Sequence, residues 1–173
     1  TIPVGLAGLA FADIIEDTLR SPLYMAAGLI VFGLALGWAD WQHRGQRDER
    51  QLSWKDVLFI GMAQAVALLP GTSRSGITIT AALMLGLSRE AAARFSFLLS
   101  IPVIAIACGL MTVELIQHGG DTDWSAMLIG TVISGLAAYL CIHYFLEFIK
   151  RIGMQPFVIY RIALGLLLIV MFI

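Results

Sequence analysis

Long apolar stretches alternate with short polar segments along the chain, and the lengths of the apolar stretches predict its architecture. A helix that crosses a membrane needs about 20 mainly apolar residues, because the hydrocarbon layer is about 30 Å thick. Four stretches meet this requirement, at 22–39, 95–117, 125–146 and 156–173. The pattern therefore predicts an all-α polytopic membrane protein with four full transmembrane helices.

The region 57–87 is also apolar, but a loop at Pro70 interrupts it. Its two arms, 57–69 and 77–87, would each form a helix only about 17 to 20 Å long. Each arm is too short to cross a membrane alone. The region is therefore either one long kinked crossing or a re-entrant pair, whose arms enter and leave the membrane on the same side.

The distribution of basic residues favours the re-entrant pair. Loops on the cytoplasmic side of a membrane are enriched in lysine and arginine. A re-entrant pair places the basic segments 44–55, 89–94 and 150–151 together on that side and the acidic turn 121–123 outside. A single crossing would distribute the basic segments over both sides. We therefore predict a re-entrant pair over 57–87 and an external C-terminus.

The first twelve residues are apolar, but as a helix they would measure only about 16 Å, which is less than one crossing. No charged region precedes them, so they lack the pattern of a signal peptide. We expect 1–12 to be the tail of a helix that begins earlier, and the chain to be a fragment of a longer protein. Residues 1–173 are predicted to form a single membrane domain.

Composition narrows the classes of function. Hydrophobic residues make up 59% of the chain and charged residues 13%, whereas soluble domains are about half apolar and a quarter charged. The formal net charge is -1, so no basic surface indicates a nucleic-acid partner. The two cysteines lie within apolar stretches and indicate neither a disulfide framework nor a metal site.

The loop between the two short arms is the candidate functional site. Irregular backbone at membrane depth is tolerated only where protein buries it or where it lines a wet cavity. An arginine there, Arg74, is energetically costly, and its planar donors match a phosphate group. The next helix is expected to begin near Gly76, with the free N–H groups of 76–78 directed into the loop as an anion site. Glycines that admit close backbone approach and hydroxyl groups complete the binding candidates, which are Gly71, Thr72, Ser73, Ser75, Gly76 and Thr78.

The same residues also fit a plainer structure. In a simple helix–turn–helix, Ser73 or Ser75 would cap the second helix and Arg74 would extend to the membrane surface. Gln64, midway along the first arm, would hydrogen-bond either to the loop, as a further binding residue, or to a neighbouring helix. Arg161 lies about 8 Å into the last span. We expect its side chain to extend back to the membrane surface, or to pair across the helix bundle.

The chain offers no acidic pair that faces the loop, so no residue of it is predicted to hold a metal ion. Asp121 and Asp123 lie on the opposite side and are interpreted as turn residues. The histidines lie in a loop, in a turn and at the end of a span, and we expect none of them to be catalytic; they are His43, His118 and His143.

The run QAVALLPGTSRSGIT at 64–78 resembles the second signature of the bacterial undecaprenyl-diphosphate phosphatases, also called bacitracin resistance proteins. The similarity continues at 86–89, 95–99 and Pro102 and returns at 156–161, so it covers essentially the whole chain. It implies a fold of two inverted repeats, each a re-entrant pair followed by three spans. This chain would hold the end of the first repeat and all of the second.

The resemblance implies an enzyme of the bacterial plasma (inner) membrane that hydrolyses undecaprenyl diphosphate to the monophosphate and phosphate. This hydrolysis would recycle the lipid carrier of peptidoglycan synthesis and confer bacitracin resistance. Arg74 would be a catalytic residue that holds the diphosphate and stabilises charge at the transferring phosphoryl group. Ser73 would be the second catalytic residue, hydrogen-bonding to phosphate oxygens or acting as the nucleophile. Ser75 and Thr78 would support the loop.

The chain lacks the first signature of that family, with its glutamates and its Ser-Ser-x-Gly-His run. In the family, that part supplies metal-binding or acid–base carboxylates and a catalytic histidine. A divalent cation, Mg²⁺ or Ca²⁺, would therefore be held mainly by residues absent from this chain. The expected partners are a polyprenyl diphosphate lipid, the membrane and a second copy in a homodimer. Two other interpretations stay open, namely a transporter or gate that binds an anion at the loop, and an inactive fragment without the first half of the site.

Overall fold

The computed structural model describes residues 3–5, 21–42, 45–118 and 123–172. Six α-helices of 11 residues or more follow one another in these ranges, with no β-strand among them. They are α1 (Pro22–Gln42), α2 (Trp54–Ala65), α3 (Arg74–Met84), α4 (Arg89–His118), α5 (Trp124–Ile152) and α6 (Gln155–Phe172). Short 3-10 turns, Glu49–Gln51 and Val66–Leu68, flank α2.

Helices α1, α4, α5 and α6 are long and apolar enough to cross a membrane. This confirms the all-α class for the described residues and the prediction of four helices long and apolar enough to span, although α4 and α5 continue beyond the predicted limits. α4 begins at Arg89 and α5 ends at Ile152. Charged residues extend these helices past the apolar stretch, because ion pairs one helical turn apart stabilise the added turns. Hydropathy therefore predicted the apolar core of each helix rather than its ends.

Helices α2 and α3 form the two short arms. Ser53 caps α2 by accepting a hydrogen bond from the amide of Asp56 (3.3 Å). Ser73 caps α3, so this helix begins at Arg74, ahead of the predicted arm at 77–87. It ends at Met84, and Gly86 then adopts a φ of +83°, a backbone conformation that glycine tolerates and that turns the chain away from the helix.

The two ends of the α2–α3 pair are bonded to each other. The amide of Arg47 donates to the carbonyl of Gly86 (3.2 Å), and the amide of Ser88 donates to the carbonyl of Arg47 (3.0 Å). The Arg47 guanidinium also donates to Asp56 in the first turn of α2 (2.9 Å). We call Arg47 together with 86–88 the neck of the pair. The chain thus enters and leaves the pair at one place.

Ion pairs gather at the same end of the molecule as the neck. Asp40, near the end of α1, is 1% exposed and accepts hydrogen bonds from Arg89 at 2.5 and 2.9 Å. Glu90 pairs with Lys150 near the end of α5 (3.0 Å). The basic segments that the sequence assigns to one side therefore lie together at one end of the helices.

Helices α1 and α6 pack closely because glycines lie in their contact. A Cβ atom at Gly33 would lie 3.3 Å from the Cβ of Arg161, and a Cβ atom at Gly165 would lie 2.7 Å from the side chain of Ile30. This contact directs the side of α6 that carries Arg161 towards the loop between α2 and α3. Helix α5 differs from α1 and α6, because the described residues bury none of its most apolar 18-residue stretch.

Asp123 caps α5 by accepting hydrogen bonds from the amides of Ser125 and Ala126 (3.1 Å each), as expected for a turn residue. Other sequence predictions lie outside the described residues, namely those for 1–2, 6–12, His43, Asp121 and the side chain of His118.

Candidate functional site

The loop between α2 and α3 lies directly on the backbone of α1. Gly71 adopts a φ of +81°, and a Cβ atom there would lie 2.2 Å from the carbonyl oxygen of Met25. On the other side of this contact, a Cβ atom at Gly28 would lie 2.5 Å from the carbonyl oxygen of Pro70. Only glycine fits at either position, and this fixes where the loop sits. Gly71 therefore allows the backbone of the loop to approach the backbone of α1 closely.

The start of α3 presents backbone N–H groups to the loop. Ser73 is the N-cap, and its hydroxyl oxygen accepts from the amide of Gly76 (3.2 Å) and lies 3.2 Å from the hydroxyl of Ser75. The amide of Ile77 donates to the Ser73 carbonyl (2.9 Å). The expectation of free amides at 76–78 is therefore wrong, because the helix begins earlier than expected. The first-turn amides without a helical acceptor are those of Arg74 and Ser75, at the positive end of the helix dipole.

A cavity of about 530 Å³ opens beside this loop. Its volume falls within the range of about 300–1,000 Å³ that is typical of sites for small ligands. Five of the predicted site residues line it, namely Gly71, Thr72, Ser73, Ser75 and Gly76. The other lining residues are mainly apolar and come from α1, α3, α4, α5 and α6 and from Met154. The cavity is therefore lined both by the polar loop and by apolar side chains.

Three predicted site residues lie near the loop but do not line this cavity. Gln64, in the last turn of α2, is 1% exposed, and neither atom of its amide has a hydrogen-bond partner within the described residues. The same holds for Nη1 of Arg74 and, in the cavity wall, for the hydroxyl of Thr72. A buried polar group without a partner costs about 1–3 kcal/mol. Such groups mark places where a ligand or another polar group belongs.

Thr78 is the third of these residues, and its hydroxyl is already used within the protein. It donates to the carbonyl of Arg74 (2.9 Å) and lies 2.7 Å from the hydroxyl of Ser96 on α4. Thr78 therefore ties the first turn of α3 to the neighbouring helix, a contact that supports the loop.

Arg161 lies at the loop, although the sequence did not place it among the site candidates. Of the two expectations for its side chain, extension to the membrane surface is wrong and a contact across the helix bundle is confirmed, because the residue is 6% exposed and donates from Nη2 to the carbonyl of Gly71 (2.7 Å). The glycine-mediated contact between α1 and α6 turns it inwards. Its Nε has no partner within the described residues and lies in the same region as the loop. The available signal was its position, since an arginine inside a span usually faces the bundle interior.

The site as a whole is positively charged. Arg74 lies in the loop at the start of α3, Arg161 bonds to the loop at Gly71, and the remaining side-chain donors are hydroxyls and the amide of Gln64. Among the described residues, no group of three or more His, Cys, Asp or Glu side chains could hold a metal ion. The described residues around the loop therefore fit an anion such as a phosphate or diphosphate, and they do not fit a divalent cation.

Known proteins are similar in sequence to this chain along nearly its whole length. An undecaprenyl-diphosphatase of Nitrosococcus oceani is 57% identical over 172 residues, which cover 99% of this chain and 65% of that protein. Undecaprenyl-diphosphatase 2 of Stutzerimonas stutzeri is 58% identical over 175 residues, and an undecaprenyl-diphosphatase of Thioalkalivibrio sulfidiphilus is 53% identical over 173 residues. Each of these matches also covers 99% of this chain and 65% of the relative. The chain thus spans about 65% of the length of these relatives.

The profile of one protein family extends over nearly all of the sequence. It is the family described as bacitracin resistance protein BacA, and it matches residues 1–167, a range that includes the loop, both arginines and all four candidate membrane-spanning helices up to the last turns of α6. With a match of this extent, the chain belongs to the bacitracin resistance protein BacA family.

Proposed function

We propose that the protein containing this chain hydrolyses undecaprenyl diphosphate to undecaprenyl monophosphate and phosphate in the bacterial plasma membrane. The product would return to peptidoglycan synthesis as lipid carrier, and the activity would underlie bacitracin resistance. The observation that carries the proposal is the pair of arginines, Arg74 and Arg161, at a loop that opens into an apolar cavity. The names of the three relatives support the same substrate.

In this proposal the loop holds the diphosphate. The guanidinium of Arg74 binds phosphate oxygens through two N–H groups and stabilises the charge that develops as the bridging P–O bond breaks. The first-turn amides of Arg74 and Ser75 bind a further oxygen. Arg161 fixes the loop through Gly71 and offers its remaining donors to the same anion. All of these contacts strengthen as negative charge concentrates in the transition state.

Ser73 acts in this proposal as a hydrogen-bond donor to phosphate. Its oxygen accepts from the Gly76 amide, which leaves its O–H free to donate either to Ser75 or to a phosphate oxygen. A serine nucleophile needs a neighbouring base to accept its proton. The described carboxylates nearest in sequence are Asp56 and Glu90, which bond within the ion pairs at the neck end. Either a serine or a water nucleophile would need a base from outside this chain; in this proposal water is the attacking group, and Ser73 keeps its contacts to the Gly76 amide and to phosphate.

The base that activates this water, and a divalent cation such as Mg²⁺ or Ca²⁺, would come from parts of the protein outside this chain. The described residues at the loop are cationic or neutral, so none of them is assigned as a metal ligand or as the base. We also propose that two copies of the protein form a homodimer.

We also propose that α2 and α3 form a re-entrant pair, within the second unit of an inverted repeat. The closed neck supports this, because a pair whose ends are bonded together enters and leaves at one membrane surface. The gathering of the basic segments at the neck end gives independent support.

Labelling of introduced cysteines tests this topology. In a background in which Cys108 and Cys141 are replaced by serine, Ser53→Cys and Ser88→Cys should react with a membrane-impermeant maleimide from the same face, because both positions adjoin the neck. Ser125→Cys, at the start of α5, serves as the control and should react from the opposite face. Reaction of positions 53 and 88 from opposite faces would contradict the re-entrant pair.

Phosphate release tests the function. The protein containing this chain, reconstituted in liposomes with undecaprenyl diphosphate, should release one phosphate for each monophosphate formed. A parallel flux measurement distinguishes a transporter, which would move an anion across the bilayer without cleaving the lipid. Flux without phosphate release would overturn the proposed hydrolysis.

A further inference from the structure

A second cavity, of about 560 Å³, lies along helix α2. Its α2 residues recur at three and four positions, so they share one face of the helix. The lining residues are Trp54, Lys55, Val57, Leu58 and Gly61 of α2, with Pro3 and with Leu99 of α4. We call this cavity the α2 groove. It shares no lining residue with the cavity at the loop, so the proposed reaction does not account for it.

The α2 groove carries its charged lining residue at one end and apolar residues along the rest. Trp54 and Lys55 lie in the first turn of α2, the turn in which Asp56 bonds to Arg47 of the neck (2.9 Å). Gly61 lies seven residues beyond Trp54, about 10 Å along the helix. In the proposed topology the neck end lies at the membrane surface. The groove then runs from that surface into the hydrocarbon layer, with its cation outermost.

The surface end of the groove has a cation that the protein itself does not neutralise. Lys55 is exposed, and within the described residues it has no ion-pair partner. The carboxylate beside it in sequence, Asp56, already accepts from Arg47 and from the amide of Ser53 (2.9 Å each). Trp54 is 86% exposed, and tryptophan is typical of the headgroup layer of a membrane. This end therefore suits the phosphate of a lipid.

Gly61 keeps the deeper part of the groove open. Outside its own helix, the nearest described atom to a Cβ at this position would be Cγ of Pro3, 3.9 Å away. Glycine is therefore not needed here for close contact between helices. Leu58, one turn nearer the neck, is 55% exposed. A hydrocarbon chain in this space would gain van der Waals contacts with both residues.

We propose that the α2 groove binds an anionic phospholipid of the bilayer, with one acyl chain along Leu58 and Gly61 and the headgroup phosphate at Lys55. The order of groups along the groove matches that of the lipid, with charge at the surface and hydrocarbon beneath it. The lysine favours anionic headgroups, because a zwitterionic headgroup brings its own cation beside it. The inference uses the proposed topology and is independent of the proposed hydrolysis.

Native mass spectrometry of the delipidated, detergent-solubilised protein that contains this chain tests the site. The probes are dioleoylphosphatidylglycerol, which is anionic, and dioleoylphosphatidylcholine, which has the same acyl chains and a zwitterionic headgroup. The Kd of the first bound lipid should be about fivefold lower for the anionic lipid. Lys55→Gln should remove this difference. Equal Kd values for the two lipids in the unaltered protein would overturn the inference.

Lys150→Gln is the control for the charge. Lys150 lies at the same end of the molecule, is 45% exposed and pairs with Glu90 (3.0 Å), but it does not line the groove. Its replacement should leave the fivefold preference in place. If Lys150→Gln abolished the preference as fully as Lys55→Gln, the overall charge of the surface would explain it, and a site at Lys55 would be contradicted.

A second pair of variants tests the part of the groove that holds the chain. Gly61→Leu should raise the Kd of both lipids by about four- to fifteenfold, because the new side chain takes the space of about one or two methylene groups. Gly109→Leu on α4 is the matched control, since Gly109 is exposed and a Cβ there would have no described atom within 4 Å outside its own helix. Equal changes in the two variants would exclude the groove as the binding site.

The same spectra identify a different occupant of the groove. A dimer that added lipid does not displace, and that Gly61→Leu abolishes, would place a second copy of the protein there and overturn the lipid site. Phosphate release is measured separately. Release without the predicted lipid preference would overturn this inference and leave the hydrolase intact, whereas the preference without release would support the site and contradict the hydrolysis.

Discussion

Replacing Arg74 with lysine should lower kcat for undecaprenyl diphosphate about a hundredfold or more, although the positive charge is kept. Arginine presents a planar fork that binds two phosphate oxygens at once, whereas lysine offers a compact point charge on a flexible stem. The Nη1 atom of Arg74 is buried without a partner within the described residues, so the contact to a ligand is the interaction that lysine would lose. Steady-state phosphate release by the membrane protein that contains this chain measures the effect.

Arg151→Lys provides the control for this substitution. Arg151 is exposed at the end of α5 and pairs with Glu147 (2.9 Å), far along the chain from the loop. Its replacement should leave kcat unchanged, because an exposed pair contributes little. If Arg74→Lys turned over substrate at the rate of the Arg151→Lys enzyme, Arg74 would have no catalytic role.

Replacing Asp40 with alanine should destabilise the protein by about 3 kcal/mol, near the lower end of the range for breaking a buried ion pair. Asp40 is buried and holds Arg89 by two hydrogen bonds, and it also accepts from the amide of Met154 (3.4 Å). The substitution leaves the Arg89 charge without its partner. The lower end applies because the Arg89 side chain is 31% exposed and keeps some contact with water. Thermal unfolding in detergent should show a Tm lower by about 6–12 °C for a chain of this size.

The exposed pair of Glu147 and Arg151 supplies the comparison for stability as well. Glu147→Ala removes a carboxylate of the same kind from a pair one turn apart on a helix surface. It should cost no more than about 0.5 kcal/mol. Similar losses of Tm in the two variants would mean that burial at Asp40 adds no stability.

The sequence predicted the four long apolar helices, because an apolar stretch of sufficient length is visible in consecutive residues. The segment from Gly71 to Gly76 combines glycines, hydroxyls and an arginine within a few residues, so an anion site could be proposed there without knowing its neighbours. The limits of α3 were less predictable, because Ser73 and Ser75 are both suitable N-caps and only the folded loop selects Ser73.

Two arrangements near the loop were harder to predict, because they depend on contacts between distant segments. The sequence left two orientations open for Arg161, and the inward one follows from the packing of α6 on α1, where Gly33 and Gly165 allow close approach. The ring contacts of Phe97, Phe145 and Phe157 join α4, α5 and α6, and each of these phenylalanines looks like an ordinary apolar residue in its own stretch.

The closed neck has a consequence for how the membrane orientation of this protein is determined. In the proposed re-entrant arrangement, the α2–α3 pair returns to its starting surface and leaves the number of membrane crossings unchanged. Helices α4, α5 and α6 then keep their directions whether or not the pair has entered the bilayer. A reporter fused after Phe172 would therefore give the same orientation for a correctly inserted protein and for one whose pair had stayed at the surface. Biogenesis could fail at this one step without a sign in any conventional topology assay, and only a probe within the pair itself would detect it.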